Sequence, residues 1–437
     1  MKYVEPIKSF LLFFLVALSL TLTVMIWNYK PNHQVIDKEL AEDVAIGSPI
    51  ELQDTMRPYR TLSKIEDMYK GSTSNSFVEK LYGYLNNYTA ADLALVNNSL
   101  SEEQINDVMR VNNRLTLFYG TEIPLKTFTD ILAFESEELP QMSFDRLILD
   151  WNDLASDKEI NVLFLNTEHK TLYRTSITNQ SEGDFKKEFI ASIENFLEYE
   201  EFEVEAGLSH YVTVNAIESV KYMYYINELS VEQFKEILFP KTKIVRETDE
   251  TEFTQKYRDD SSFMTIDTKS RILNYVHPAS EGLTQLTAGD LLADSFQYVN
   301  DHGGFNADFR VMNINRDKHV IDYQMFYQGL PIFSSETATK ITTTWGNDEL
   351  YKYRRPFYTL EIDIPGEMEI IELPAGKEIL PRYLQEEPIR DLILGYNLVQ
   401  NKNLRVFELV PTWFVLKENT WERINLEEIG GIGNGLE

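Results

Sequence analysis

Between Lys8 and Lys30 lie 21 residues without a single charge, and from Phe10 to Trp27 the run is almost continuously apolar. At about 1.5 Å per residue such a run spans roughly 31 Å as a helix, the thickness of a bilayer's hydrocarbon core. The rest of the 437-residue chain is polar enough to stay in water. The sequence therefore predicts a large extramembrane body held on a membrane by one N-terminal helix.

A cleaved secretory signal needs small residues just after its apolar stretch. Here Met25-Ile26-Trp27-Asn28-Tyr29-Lys30-Pro31 follows, and the only small-x-small triplet, Ala17-Leu18-Ser19, falls inside the apolar core. The chain has no cysteine, which excludes a lipid-modified cysteine anchor. Trp27, Tyr29 and Lys30 suit an outer interface, with amphipathic rings at headgroup level and a snorkelling amine. An uncleaved anchor is expected. Lys2 and Lys8 on one flank barely outweigh Lys30 and Lys38 on the other, so orientation rests on the shortness of the tail. A tail of eight residues stays cytoplasmic, and the C-terminal body is expected outside the cell membrane.

The net charge of −29 repels nucleic acid and anionic headgroups, so neither is expected as a partner of the body. The absence of cysteine removes disulfides, thiol catalysis and cysteine-ligated zinc. It fits an exported bacterial protein that does not depend on disulfides.

The fold class expected is α+β: the single transmembrane helix, then about three extracytoplasmic domains of antiparallel sheet with packed helices. Residues 1–30 form tail and anchor. Residues 31–152 form a first α+β domain, with a helix near 74–87 on Phe77, Leu81 and Leu85, and a second opened by Ser101 and Gln104 as a reciprocal cap. Strands are expected at 115–119 and 144–151. Residues 153–282 form a middle domain, with paired strands around the turn Thr167-Glu168-His169, a helix over 183–197 showing Phe185, Phe189, Ile193 and Phe196, and a short helix over 230–238. Residues 283–437 form the C-terminal domain. Thr287 and Asp290 cap its helix, Ala288, Leu292, Phe296 and Val299 form one stripe, and Gly303 stops it. Alternation then takes over at Ile321, Tyr323, Met325 and Tyr327, at Tyr351 and Tyr353, and in a closing hairpin turning at 418–420.

Chemistry-bearing motifs are scarce. The six histidines are widely scattered, and no HExxH helix, GxSxG elbow or phosphate-cradling glycine loop is present. His302-Gly303-Gly304 shares the His-Gly-Gly of an esterase oxyanion loop, but its place at a helix end reads as a left-handed cap. The acidic run over 198–203 reads as a solvated face. No catalytic, metal or cofactor residues are expected, and no cofactor. The functional candidates sit in the anchor. Ala17 and Thr21 share one face, and Ser19 and Thr23 nearly the opposite one, so one helix can meet two partner helices. The same hydroxyls can equally bond the carbonyls one turn back, which leaves that reading open.

Taken in order, several segments resemble the YycH family. The start carries Lys2-Tyr3-Val4-Glu5-Pro6-Ile7-Lys8 and Trp27-Asn28-Tyr29-Lys30-Pro31. The middle carries Leu238-Phe239-Pro240 and Leu273-Asn274-Tyr275-Val276-His277-Pro278. Tyr298-Val299-Asn300-Asp301-His302-Gly303-Gly304-Phe305 follows, then Phe326-Tyr327-Gln328-Gly329-Leu330-Pro331-Ile332-Phe333. Leu409-Val410-Pro411-Thr412-Trp413 resembles the last sheet shared with the sibling YycI type. The resemblance implies a single-pass, extracytoplasmic accessory protein of Gram-positive bacteria. Such a protein is a two-component system regulator, acting in signal transduction through protein-protein interaction. It would bind and modulate a YycG/WalK-type sensor histidine kinase governing the cell wall, together with a YycI-type membrane protein, and would not be an enzyme. The alternative is an envelope receptor for a wall-derived ligand or peptide, which a deep apolar pocket would favour.

Overall fold

The computed structural model describes residues 18–19, 46–47, 49–178, 185–239, 245–282, 286–347, 349–363, 369–384, 389–401, 406–418 and 420–426. The expected membrane segment lies outside these residues except for Leu18 and Ser19, which are helical and exposed. No helix among the described residues is long and apolar enough to cross a membrane. From Ile46 onward the chain forms one compact unit.

Two large sheets build that unit. The first has nine strands. Arg114–Pro124 lies near its centre, flanked by Arg60–Ile65 and Ser143–Asp150, and the sheet continues through Glu159–Asn166 and Thr171–Thr178 to a short edge, Ala94–Asn97. On the other side Met68–Ser72, Leu197–Phe202 and His210–Thr213 complete it. The second sheet takes fifteen strands from Ile217 to Arg423. Its two halves join through the four residues Leu330–Phe333, which pair antiparallel with Val320–Tyr327 and parallel with Asp391–Asn401. That parallel contact and a two-stranded pair, Thr89–Ala90 with Ala133–Phe134, depart from the antiparallel pattern expected. The class is a sheet-rich α+β fold.

Local chemistry sets the helices. Ser74 caps Asn75–Leu85 by accepting from the Phe77 amide, and Phe77, Val78, Leu81, Tyr82 and Leu85 turn inward. Ser101 and Gln104 make the reciprocal cap of Glu102–Arg110 as their spacing predicts. Thr287 caps Ala288–Asp301, which buries Leu291, Leu292, Ser295 and Val299. Ser295 accepts from Thr343 (2.9 Å) and the Trp345 indole (2.7 Å), fixing the helix to the second sheet. Gly83 sits exposed within the helix Asn75–Leu85, and a Cβ there would meet nothing within 4 Å. Gly83→Ala is therefore expected to stabilise the protein by about 0.5–1 kcal/mol, read as a rise in the thermal midpoint.

Three sequence expectations are corrected. The sheets do not divide at 152 and 282. Ser143–Asp150 pairs with Glu159–Asn166 across the first point, and Ile272–Val276 pairs with Glu349–Pro356 across the second. The change of sheet falls between Thr213 and Ile217. The helix expected over 183–197 is present but shorter among its described residues, π-type at Lys186–Ile190 and α at Ala191–Ile193. Phe185, Phe189 and Ile193 are buried as expected, but Leu197 already belongs to a strand. The acidic run lies largely on that strand: Glu198 and Glu203 are exposed as expected, while Glu201 turns to partners. Glu201 lies 2.9 Å from Arg110 Nε and accepts from the Tyr69 hydroxyl at 3.2 Å.

Candidate functional site

Of the residues the sequence singles out, Ala17, Thr21, Thr23, Trp27, Tyr29 and Lys30 lie outside the described residues, and Ser19 is exposed on a helical turn. The chemistry the structure assembles is elsewhere, where the two sheets meet, and it is made of buried arginines.

Arg60 comes from an interior strand of the first sheet and is almost fully buried. Its Nη2 donates to both oxygens of Asp391, at 3.0 and 3.2 Å, and its Nη1 donates to the Tyr211 carbonyl at 3.2 Å. Asp391 opens the long strand Asp391–Asn401 of the second sheet and also accepts the Tyr59 hydroxyl. Burial alone pushes the Arg60 guanidinium down, but the carboxylate more than offsets it and holds the charge on. Burial, with Asp391 beside it, pushes the Tyr59 phenol up, so it stays a donor. His210 is buried close by, and desolvation lowers its pKa and keeps the ring neutral. Phe118 carries a guanidinium at each of two close contacts, Arg60 at 4.5 Å and Arg146 at 4.3 Å from its centroid.

A second arginine fixes the other end of the junction. Arg310 stands on Asp308–Asn315 of the second sheet, is 1% exposed, and lies 4.1 Å over the Phe326 ring. It donates to the Pro58 carbonyl at 2.7 Å, to Asn75, and to Asp308 at 2.9 Å. Between these points backbones touch. Gly120 leaves room for Met312, whose sulfur a Cβ would meet at 2.3 Å, and the Ile314 amide donates to Thr121 Oγ1 at 3.1 Å. Both crossing strands slip register here, between Phe118 and Ile123 and between Val311 and Asn313, which bends one past the other.

Beside the junction a cleft of about 2520 Å³ opens, walled by residues of both sheets. It exceeds the ~300–1,000 Å³ of a small-molecule pocket. Its charged walls are largely paired with one another. Lys170 meets Glu102 at 2.9 Å, Lys126 of the turn Leu125–Phe128 meets Asp290 of the helix Ala288–Asp301 at 3.0 Å, and Arg390 meets Glu168 at 3.4 Å. This is not the deep apolar pocket a receptor would present.

Catalytic geometries fare no better. His277, Ser280 and Glu349 converge, but Ser280 Oγ bonds His277 Nδ1 (2.7 Å) and Glu349 (2.9 Å) at once, and the same Nδ1 faces the carboxylate at 3.5 Å. A relay needs the imidazole between hydroxyl and acid through its two nitrogens, which this arrangement does not offer. His302-Gly303-Gly304 closes the helix Ala288–Asp301. The Gly304 amide is spent on the Val299 carbonyl at 2.8 Å, so the loop is a cap. Among the described residues no group of three or more His, Asp or Glu is arranged to hold a metal.

Sequence reasoning missed Arg60, Arg310 and Asp391. The one local hint concerns Arg60, which shares a strand parity with Leu62. Nothing local says that an arginine on the inner face has an acid waiting 331 residues away.

The likeness to known proteins is end to end. The N-terminal domain of the YycH protein matches residues 5–192, and its C-terminal domain matches residues 208–430. The two matches part close to where the chain leaves the first sheet for the second. A curated relative from Bacillus subtilis (strain 168), the two-component system WalR/WalK regulatory protein YycH, is 20% identical over 430 residues, with 94% of each chain covered. The crystal structure of YycH from Bacillus subtilis superposes with a TM-score of 0.73 at 18% identity, covering 87% of this chain and 98% of that one. With both halves of the fold matched in order, the chain belongs to the YycH family.

Proposed function

We propose that this chain is a regulator in a WalR/WalK-type two-component system. It is held on the cell membrane by the helix within residues 9–29, with its body outside, and it binds and biases the sensor histidine kinase in company with a YycI-type partner. The observation that carries this reading is the end-to-end likeness to a curated WalR/WalK regulatory protein. The body supports it by offering two sheets locked in one arrangement and a cleft whose charges are largely paired. Such a body acts by contact. A differential contact of about 1–2 kcal/mol between two kinase states suffices to change signalling output severalfold.

The test is co-purification with the kinase from membranes, with the native protein beside a version whose residues 9–29 are replaced by an unrelated apolar helix. Retention by the native helix alone is the expected result, and Ala17, Ser19, Thr21 and Thr23 are then the positions to scan. Equal retention by both places recognition in the outer body. Retention by neither removes the regulator reading.

A further inference from the structure

The unit that begins at Ile46 seats its first described residues at one defined place. Ile46, Ile50 and Leu52 pack against the main core, and the Asn300 side chain bonds the backbone of Ile50. Asn300 Nδ2 donates to the Ile50 carbonyl at 3.0 Å, and the Ile50 amide points to Asn300 Oδ1 at 3.5 Å. Asn300 thus serves the entering chain as a strand partner would.

Three glycines make the closest approach. A Cβ on Gly47 would stand 2.9 Å from the Gly303 carbonyl oxygen and 3.1 Å from the Gly304 carbonyl carbon. A Cβ on Gly304 would stand 3.1 Å from the backbone of Gly47. Backbone thus lies directly on backbone, which only glycine on both sides permits. Gly303 and Gly304 have φ of 107° and 63°, the left-handed turn that ends the helix Ala288–Asp301.

Beneath that turn lies Arg355, which is fully buried. Its Nη1 would be 2.5 Å from a Cβ on Gly303 and donates to the Tyr353 hydroxyl (2.8 Å) and the His302 carbonyl (3.4 Å). Its Nη2 donates to Asn306 at 3.1 Å. Arg355 places a cation against the carbonyl end of the helix, where the helix dipole is negative. The helix itself is held to the second sheet through Ser295, and its Asp290 meets Lys126 in the turn that directly follows the first sheet's strand Arg114–Pro124.

We infer that Gly47, Asn300, Gly303 and Gly304 form a latch that couples the membrane-side chain to the helix Ala288–Asp301, so that displacement of the N-terminal segment is passed to both sheets. The latch rests on the regulator reading above and adds its mechanical step. It assigns the His302-Gly303-Gly304 turn a role beyond capping, as the seat of the tether.

Two variants separate the latch from general stability. Gly47→Val pushes the segment off the turn, together with the partly buried Ile46 beside it, and Asn300→Ala removes the grip on Ile50 while leaving Gly47 as it is. In the full chain, the Ile50 amide is expected to exchange its hydrogen about tenfold faster or more in either variant, while the amides of Val320–Tyr327 keep their protection. Unchanged exchange at Ile50 in both variants overturns the latch. In membranes holding the kinase, both variants are expected to be retained like the native protein but to lose its effect on kinase output. If Ile50 is released and output still matches the native protein, the coupling is overturned. If the native protein itself leaves kinase output unchanged, the regulator reading fails and the coupling fails with it, while the exchange result still decides whether the tether is seated.

Discussion

Replacing Asp391 by alanine is expected to destabilise the protein by about 3–5 kcal/mol, because it leaves the buried charge of Arg60 without its partner. Arg60 and Asp391 show side-chain exposures of only 5% and 7%, so water cannot take the carboxylate's place cheaply. The Tyr59 hydroxyl loses its acceptor in the same change, and the Leu392 amide loses the Asp391 oxygen it bonds at 2.8 Å. The measurement is urea denaturation of the purified protein. The double variant Arg60→Met/Asp391→Leu is the control, since removing both charges together abolishes the desolvation penalty along with the attraction, and most of the loss should be recovered. A loss below about 1 kcal/mol for Asp391→Ala would mean that the junction does not depend on the pair.

Gly329→Ala is expected to cost about 3 kcal/mol or more, from overpacking added to backbone strain. Gln328 and Gly329 turn the hairpin between Val320–Tyr327 and Leu330–Phe333 with φ of 50° and 80°. The tip rests on the first sheet's side of the molecule, where a Cβ on Gly329 would fall 1.8 Å from the Thr73 carbonyl oxygen. Thr73 leads into the capped helix Asn75–Leu85, and Asn75 is one of the groups Arg310 holds. Neither backbone has room to yield. The thermal midpoint should fall steeply, in contrast to the rise expected for Gly83→Ala. A midpoint within a degree or two of the native protein's would show that the hairpin tip is not seated against Thr73.

Where the chain's information is local, the sequence reads well. Ser101 with Gln104, Ser230 before Val231–Leu238, and Thr287 with Asp290 each mark a helix start, because a side-chain oxygen two or three residues from an orphan amide needs nothing distant to act. The alternation at Tyr323 and Tyr353 likewise gives the inner faces of their strands, and both rings are fully buried. The strand Asp391–Asn401 escaped because Asn397 and Gly395 interrupt its apolar run, and Gly395 is there to admit Pro331 O and the Phe414 ring. Leu197–Phe202 escaped because a strand of acids looks solvated until Arg110 and Tyr69 are seen beside it.

By itself, then, the sequence determined most of the helices and many of the strands, and it set the expectation of a membrane anchor. Helix caps and strand periods act through neighbours a few positions away, so composition and spacing are enough to place them. Only the tertiary structure decided how the sheets divide and what joins them. Asp391 of Arg60, Pro58 and Asn75 of Arg310, and the glycines against Gly47 lie hundreds of residues off, and a bare glycine or a buried arginine has no local signature of the distant group it will meet. That meeting is set by which strands cross, and strand crossing is a property of the whole chain.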